Sequence, residues 1–388
     1  MDKQLDVVVF GATGFTGQLI AAYLQRHYHN SELSWGMAGR DLAKLQAVRS
    51  QLNISNDVPL IIADANDSGA LAELVAHTKV VIAAAGPYQL YGESLVAACA
   101  AAGTDYVDLC GEPTWMRQMI DKYHTQAQES GANIVHSCGF DSVPSDLGVF
   151  QLQQLATQHH GAPLQRVKGR VEKMQGGPSG GTVASFMVSA KNAKQDPAIG
   201  ALMINPFALT PDFPGCKQPS GTKPVHDEEL GSWASPFVMA VINTKNVHRT
   251  NFLLGHPYGS DFQYDEMIAT GPGAKGEQVA IALTQGDGLV GKGNAPKPGE
   301  GPSPQEQEDG FFTLGFHGSS DQGRLSVRVS GDKDPGYGCT SMMIAESALC
   351  LLQQSLNGGF WTPASAMGAA LIERLSDKNV LRFSSHVE

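Results

Sequence analysis

Leu5-Asp6-Val7-Val8-Val9-Phe10-Gly11-Ala12-Thr13-Gly14-Phe15-Thr16-Gly17 is the stretch from which the rest of the chain can be read. A short β-branched apolar run ends in three glycines spaced three apart, and a helix-compatible run follows from Phe15 to about Tyr28. Gly11 permits a tight turn, Gly14 lets backbone N–H groups approach a phosphate, and Gly17 allows helix and strand to pack closely. The helix start adds partial positive charge. This order of strand, turn and helix suits a dinucleotide pyrophosphate. A glycine-rich turn that binds nothing can show the same spacing, and glycine is common here, 44 of 388 residues. The αβ units that follow favour the binding reading.

Working outward, Leu33–Arg40 reads as a second strand, after which Asp41 caps a helix over 42–52. The residue ending this strand normally meets the adenosine ribose, where an acid selects NAD. Gly39-Arg40 stands there instead, so the expected cofactor is NADP(H), with Arg40 on the 2′-phosphate. The alternative is a solvated arginine at a helix start. Residues 58–63 form a third strand, and Asp64-Ala65 is placed to touch the adenine edge or to serve as a plain turn. Residues 79–86 form a fourth, apolar throughout, as when a parallel strand is buried on both faces. It ends in Ala85-Gly86-Pro87-Tyr88, small enough for a cofactor to lie across. Strands at 104–109 and 133–136 complete a doubly wound parallel sheet of Rossmann type. Loops 11–17, 84–88, 110–113 and 137–146 then converge on one crevice at the strand ends.

Beyond a helix over 145–160 the pattern changes. Residues 166–174 alternate as a half-exposed strand, and Gly176–Thr182 turns into a helix near 183–193. Residues 205–232 show little periodicity. Residues 237–243, 250–254, 278–283, 311–317 and 324–331 read as strands of a mostly antiparallel sheet, and 286–310 as a loop. Apolar helices at 342–356 and 364–375 should return to the first sheet. The expected organisation is residues 1–145 for the nucleotide, 146–331 for substrate and dimerisation in an α+β domain, and 332–388 for the returning helices.

Composition narrows the class. A net charge of −11 argues against a nucleic-acid surface or a polybasic membrane patch. No apolar run approaches a membrane span, and the chain enters its first strand too early for a signal peptide. Six cysteines without a Cys-x-x-Cys pair fit a reduced, cytoplasmic setting, and the scattered histidines suggest no metal site.

The loops together are familiar. Gly11–Gly17, Ala38-Gly39-Arg40, Ala85-Gly86-Pro87-Tyr88 with Tyr91-Gly92-Glu93, Tyr106-Val107-Asp108 with Gly111-Glu112, and Gly139-Phe140-Asp141-Ser142-Val143-Pro144-Ser145-Asp146-Leu147-Gly148 are the carriers. Gly331-x-x-x-Pro335-Gly336-Tyr337 and Thr362-Pro363-Ala364-Ser365-Ala366 add to them. The combination resembles the saccharopine dehydrogenase-like oxidoreductases, closest to their enoyl-reductase-type branch, and is weak only over 205–310. The resemblance implies an NADP-binding Rossmann domain, a second domain that bears the substrate site and often dimerises, and hydride transfer to a small-molecule substrate. A homodimer is therefore a possible assembly.

Hydride transfer needs a nicotinamide held against an electrophilic carbon and a group that supplies a proton. Asp141, Tyr88 and Glu112 are the candidate catalytic residues, with Asp108 and Cys138 nearby. Asp141 comes first, although it is equally suited to capping the helix that begins near Pro144. Glu112 either caps or binds, and Cys138 reads better as a small buried residue. Arg170, Lys173 and Thr182 are placed to reach the crevice from the second domain. Only Arg166 and Arg170 offer a pair for clamping a dicarboxylate, which favours a neutral or lipid-like substrate. The expected activity is NADP(H)-dependent reduction of an activated C=C or C=O. A saccharopine-type amino-acid dehydrogenase and a non-catalytic NADP-binding protein are the alternatives.

Overall fold

The computed structural model describes residues 3–285, 296–297 and 299–388. Its first half begins by alternating strand and helix: β1 (Leu5–Phe10), α1 (Phe15–Tyr28), β2 (Trp35–Gly39), α2 (Leu42–Gln51), β3 (Leu60–Ile62), α3 (Ser68–Ala76) and β4 (Thr78–Ala83). Then come α4 (Tyr88–Tyr91), α5 (Glu93–Ala102), β5 (Asp105–Asp108), α6 (Pro113–Ser130), β6 (Asn133–Val135) and α7 (Val143–His160). Local chemistry explains the boundaries. Asp41 accepts from the Lys44 N–H at the start of α2, and Asp67 from Gly69 and Ala70 at the start of α3. Gly103, Gly131 and Gly161 end α5, α6 and α7 in the left-handed conformation. The central strands β1 and β4 are apolar and almost wholly buried, as a parallel sheet covered on both faces requires.

The second half contains β7 (Arg166–Gln175), α8 (Gly180–Gln195), α9 (Pro197–Ile204), β8 (Val225–Asp227), β9 (Ser232–Pro236), α10 (Ala240–Leu253), β10 (Gln263–Gly271), α11 (Gly273–Gln285), α12 (Pro304–Asp309), β11 (Phe311–Ser320) and β12 (Gly323–Gly331). After a π-helical turn at Pro335–Cys339 the chain ends with α13 (Thr340–Leu351), β13 (Gly359–Trp361), α14 (Pro363–Asp377) and β14 (Arg382–Val387). The first sheet has the order β3-β2-β1-β4-β5-β6-β13 and is parallel throughout. The second has the order β14-β12-β11-β7-β10-β9-β8, with only β7 and β10 parallel. No helix among the described residues is long and apolar enough to cross a membrane.

Several expectations for the second half are corrected. Residues 237–243 and 250–254 are not strands; most of both lie in α10. Their periodicity misleads because α10 buries polar side chains (Asn243, Lys245, Asn246, His248, Arg249, Thr250 and Asn251) where an apolar stripe would announce a helix. Residues 278–283 belong to α11, whose alternating apolar positions mimic a strand. Part of the expected 286–310 loop, 286–295 and 298, lies outside the described residues, and its end carries α12 with a Ser303–Glu306 capping box. Sequence periodicity also passed over β8, β9, β10, β13 and β14. Three-residue β13 has no readable period and is defined only by pairing with distant β6.

The C-terminal helices pack back on the first sheet. α13 lies against α1, β4 and β5. Its buried Glu346 accepts hydrogen bonds from Tyr23 and Tyr28 of α1, each at 2.7 Å, and pairs with Arg374 of α14 at 2.6 Å. The first sheet thus acquires its seventh strand and one of its covering layers from the far end of the chain.

Candidate active site

The glycine-rich turn is shaped by backbone contacts. Gly11 leaves β1 with φ +85°, and a Cβ there would lie 3.0 Å from that of Ala85. At Gly17 a Cβ would run into the Gly11 carbonyl oxygen and come within 2.9 Å of the Ala12 Cα. Gly14 is the N-cap of α1, and no side chain caps this helix, in contrast to α2 and α3. Its first-turn N–H groups face the crevice end of the sheet with no acidic residue among them. Ala12 is buried, while Thr13, Gly14, Phe15 and Thr16 keep accessible surface. Gly39 is buried at the end of β2, and Arg40 beyond it is exposed. Asp64 spends its Oδ1 on the N–H and side-chain amide of Asn66, at 2.9 and 3.0 Å, so it holds its own turn, with Ala65 half-buried beside it. Ala85 and Pro87 are half-buried and Gly86 exposed, which leaves the β4 end open.

Two of the three candidate acids are occupied otherwise. The buried Tyr88 hydroxyl donates to the Ala83 carbonyl at 2.9 Å and accepts from the Leu109 N–H at 3.0 Å. Burial raises its proton affinity far above that of a free tyrosine. Glu112 accepts from the N–H groups of Tyr88 and Gln89 at 3.0 and 2.9 Å. Both therefore act as ties between the loops after β4 and β5. Asp108 ties in the next loop, because Oδ1 accepts from the N–H groups of Cys110 and Ser137 and Oδ2 meets His136 Nδ1 at 2.6 Å. Cys138 is fully buried, and desolvation pushes its thiol well up, which fits a packing role.

Asp141 is different. It does not cap α7; the N-cap is Ser142, and no side chain bonds there. Asp141 Oδ1 is buried without a hydrogen-bond partner among the described residues, while the residue keeps some accessible surface, and Oδ2 faces Gly111. Desolvation, with the charge of Glu266 second, raises its pKa to about 7. An acid in this state holds a proton at neutral pH and can release it. Glu266 on β10 was not a sequence candidate. Neither were Asn243, which donates to Glu266 Oε1 at 2.8 Å, nor Asn246, which donates to the Ser142 hydroxyl at 2.9 Å. Reading 240–253 as a helix would have put these two asparagines on one face.

From the second half of the chain, Phe15 meets Tyr337 edge-to-face at 5.2 Å, and the Tyr337 hydroxyl bonds Thr182 Oγ1 and the Ser179 N–H, each at 2.6 Å. Thr182 thus borders the crevice by way of Tyr337. Arg170 does not reach it: its guanidinium pairs with Asp227 at 2.9 Å and Asp265 at 3.0 Å, and Arg166 pairs with Asp265 as well. Lys173 is exposed on β7.

Comparison with known proteins now bears on this crevice. Residues 7–135 match the family model for the saccharopine dehydrogenase NADP-binding domain. A Mycobacterium tuberculosis protein named as a candidate trans-acting enoyl reductase is 39% identical over 403 residues, covering 96% of each chain. A trans-acting enoyl reductase of Mycobacterium bovis is 35% identical over 410 residues, covering 98% of this chain and 97% of its own. The chain belongs to the saccharopine dehydrogenase-like oxidoreductases, in their enoyl-reductase-type branch. Among solved structures, saccharopine dehydrogenase (L-Glu forming) from Saccharomyces cerevisiae superposes with a TM-score of 0.58 at 12% identity, over 99% of this chain and 100% of that one, which is a likeness of fold.

As a member of this family the oxidoreductase takes NADP(H), and its residues fit the cofactor. The uncapped α1 and the cradle that side chains at positions 11 and 17 would fill suit a pyrophosphate. Exposed Arg40 suits a 2′-phosphate, and the open Ala85-Gly86 backbone suits the nicotinamide end.

Proposed function

We propose that this oxidoreductase reduces the activated C=C of a lipid-like enoyl substrate, with Asp141 as the proton donor. When bound, NADPH supplies hydride to the β-carbon. Asp141 delivers its proton to the α-carbon as negative charge develops there, and is reprotonated from solvent through its accessible edge. Tyr88, Glu112 and Asp108 keep the surrounding loops in register. The observation that carries this reading is the unpartnered, desolvated carboxyl of Asp141 at the open end of the parallel sheet, with a pKa of about 7.

The substrate class is supported by two further features. Arg166 and Arg170 are consumed by Asp265 and Asp227, which removes the clamp that a dicarboxylic amino acid would want. Ser185 of α8 lies beside Gly86, and the same helix carries exposed Phe186 and Met187 next in sequence, with exposed Leu90 and Tyr91 on neighbouring α4. That surface offers an acyl chain a path out of the site. The test is a screen of enoyl thioesters and 2-oxo acids with NADPH oxidation as readout. Turnover of the thioesters, abolished by D141N with NADPH binding intact, is expected. Turnover of 2-oxo acids alone refutes the assignment. A homodimer, as the family resemblance implies, belongs to the same proposal and is to be checked by sedimentation.

A further inference from the structure

Both neighbours of Asp141 are held by residues from distant parts of the chain. On one side, the Phe140 N–H donates to the buried Thr340 hydroxyl at 2.9 Å, across 200 residues of sequence. On the other, the Ser142 hydroxyl accepts from the buried Asn246 amide at 2.9 Å. The two holders stand on different elements, α13 and α10. Within the loop, the Ser142 N–H donates to the Ser137 carbonyl at 2.8 Å and the Val143 N–H to the Gly139 carbonyl at 2.9 Å. Gly139 has no room for a side chain, because a Cβ there would lie 2.8 Å from Leu109 Cδ2 and 2.9 Å from Thr340 Cγ2. The loop is clamped, yet Asp141 Oδ1 keeps no hydrogen-bond partner among the described residues.

Thr340 also bonds away from the loop. Its hydroxyl donates to the Pro335 carbonyl at 2.8 Å, across the π-helical turn. The same turn carries Tyr337, whose ring meets Phe15 of the glycine-rich turn. One hydroxyl thus joins the loop that bears Asp141 to the turn that packs on the cofactor seat. A threonine hydroxyl suits this place, with one proton to give and lone pairs to receive.

We infer that Thr340 and Asn246 are positioning residues for the reaction: they fix the chain on either side of Asp141, so that its carboxyl is held at the open end of the sheet without a donor of its own. The inference rests on the reading of Asp141 as proton donor. Its physical content is the placing of one carboxyl, which titration reports without turnover. With the flanking backbone released, the carboxyl would turn to a nearby N–H or to water, as buried polar groups do, and would ionise more readily. Proton delivery tolerates little such movement, since a displacement of about 1 Å costs on the order of 100-fold in rate.

The experiment compares T340V, T340S and N246L on the full chain. Valine keeps the shape of threonine and removes the hydroxyl, whereas serine keeps the hydroxyl and loses a methyl. Every replacement is neutral, and Glu266, the charged group that bears on Asp141, is retained in each, so a shift in titration reports where the carboxyl sits. One measurement is the pH dependence of the urea-unfolding difference between each variant and the same variant carrying D141N; the other is steady-state NADPH oxidation with an enoyl thioester. In wild type that difference should titrate at about pH 7. In T340V the midpoint should fall by about one unit and kcat by roughly 10–100-fold, with KM and NADPH affinity unchanged, and T340S should restore both. N246L, which also removes an amide oxygen without a partner among the described residues, should move the midpoint the same way and provides the answer if T340V does not fold. A lower melting temperature with midpoint and kcat unmoved would show a merely structural role and overturn the inference, as would a T340S variant as impaired as T340V. A moved midpoint with D141N still active would uphold the clamp on the carboxyl and overturn the donor reading instead.

Discussion

Replacing Asp141 by asparagine should make the protein more stable at alkaline pH while abolishing turnover. The native pKa is about 7 against an ordinary 3.8, a rise of about three units. Each unit corresponds to about 1.4 kcal/mol, so the full displacement is about 4 kcal/mol, and partial solvent contact brings the expectation to about 2–4 kcal/mol. The sign follows from proton binding. Below about pH 4 the carboxyl is protonated in both folded and unfolded chains and contributes nothing. As pH rises, the unfolded chain releases its proton and the native chain keeps it, so native stability falls until pH passes about 7. Asparagine is neutral throughout and escapes that loss. Buried Asp146 also has a pKa of about 7 and loses stability over the same window, but it is common to both proteins and cancels in the difference. Urea unfolding of wild type and D141N at closely spaced pH values measures that difference directly. Its value at any one pH includes packing changes, whereas its pH dependence isolates the titration. A difference that stays flat from pH 4 to 8.5 would refute the claim that Asp141 is desolvated and protonated in the native protein.

Other substitutions test other parts of the site. Gly17→Ala forces a Cβ against the Gly11 carbonyl and Ala12, where only backbone can yield; a loss of about 1–3 kcal/mol and at least a tenfold weaker NADPH complex are expected by thermal melting and fluorescence titration. Arg40→Ala should weaken NADPH by about 10–100-fold, the worth of a charge-assisted contact, and leave NADH unchanged; an equal loss for both cofactors would reject the 2′-phosphate assignment. Glu112→Gln leaves one of the Tyr88 and Gln89 N–H groups without an acceptor and should cost about 1–3 kcal/mol, read as a lower melting temperature, without moving the pH midpoint of activity. Replacing Phe186 and Met187 together by serine should raise KM for long-chain enoyl thioesters and spare short ones; a uniform change would reject the acyl path.

The opening strand, turn and helix, the alternation of six strands with helices in a parallel sheet and the cofactor class were readable from the sequence alone. Their determinants are local: a left-handed Gly11, Gly17 against backbone, Asp41 and Asp67 as caps, and strands apolar on both faces. Asp141 was legible as a polar residue on a crevice loop, but not whether its carboxyl caps α7 or stays without a partner among the described residues. That distinction depends on what surrounds it in space. The same holds for Tyr88 and Glu112, whose side chains turn out to brace the loops, and for Glu266, which local sequence gave no reason to select. Strand β13 exists only because residues from the chain's far end pair with β6, and α10 was hidden because its buried face is polar. Desolvation, long-range pairing and the sharing of hydrogen-bond donors depend on which segments come together, and only the tertiary structure decided that.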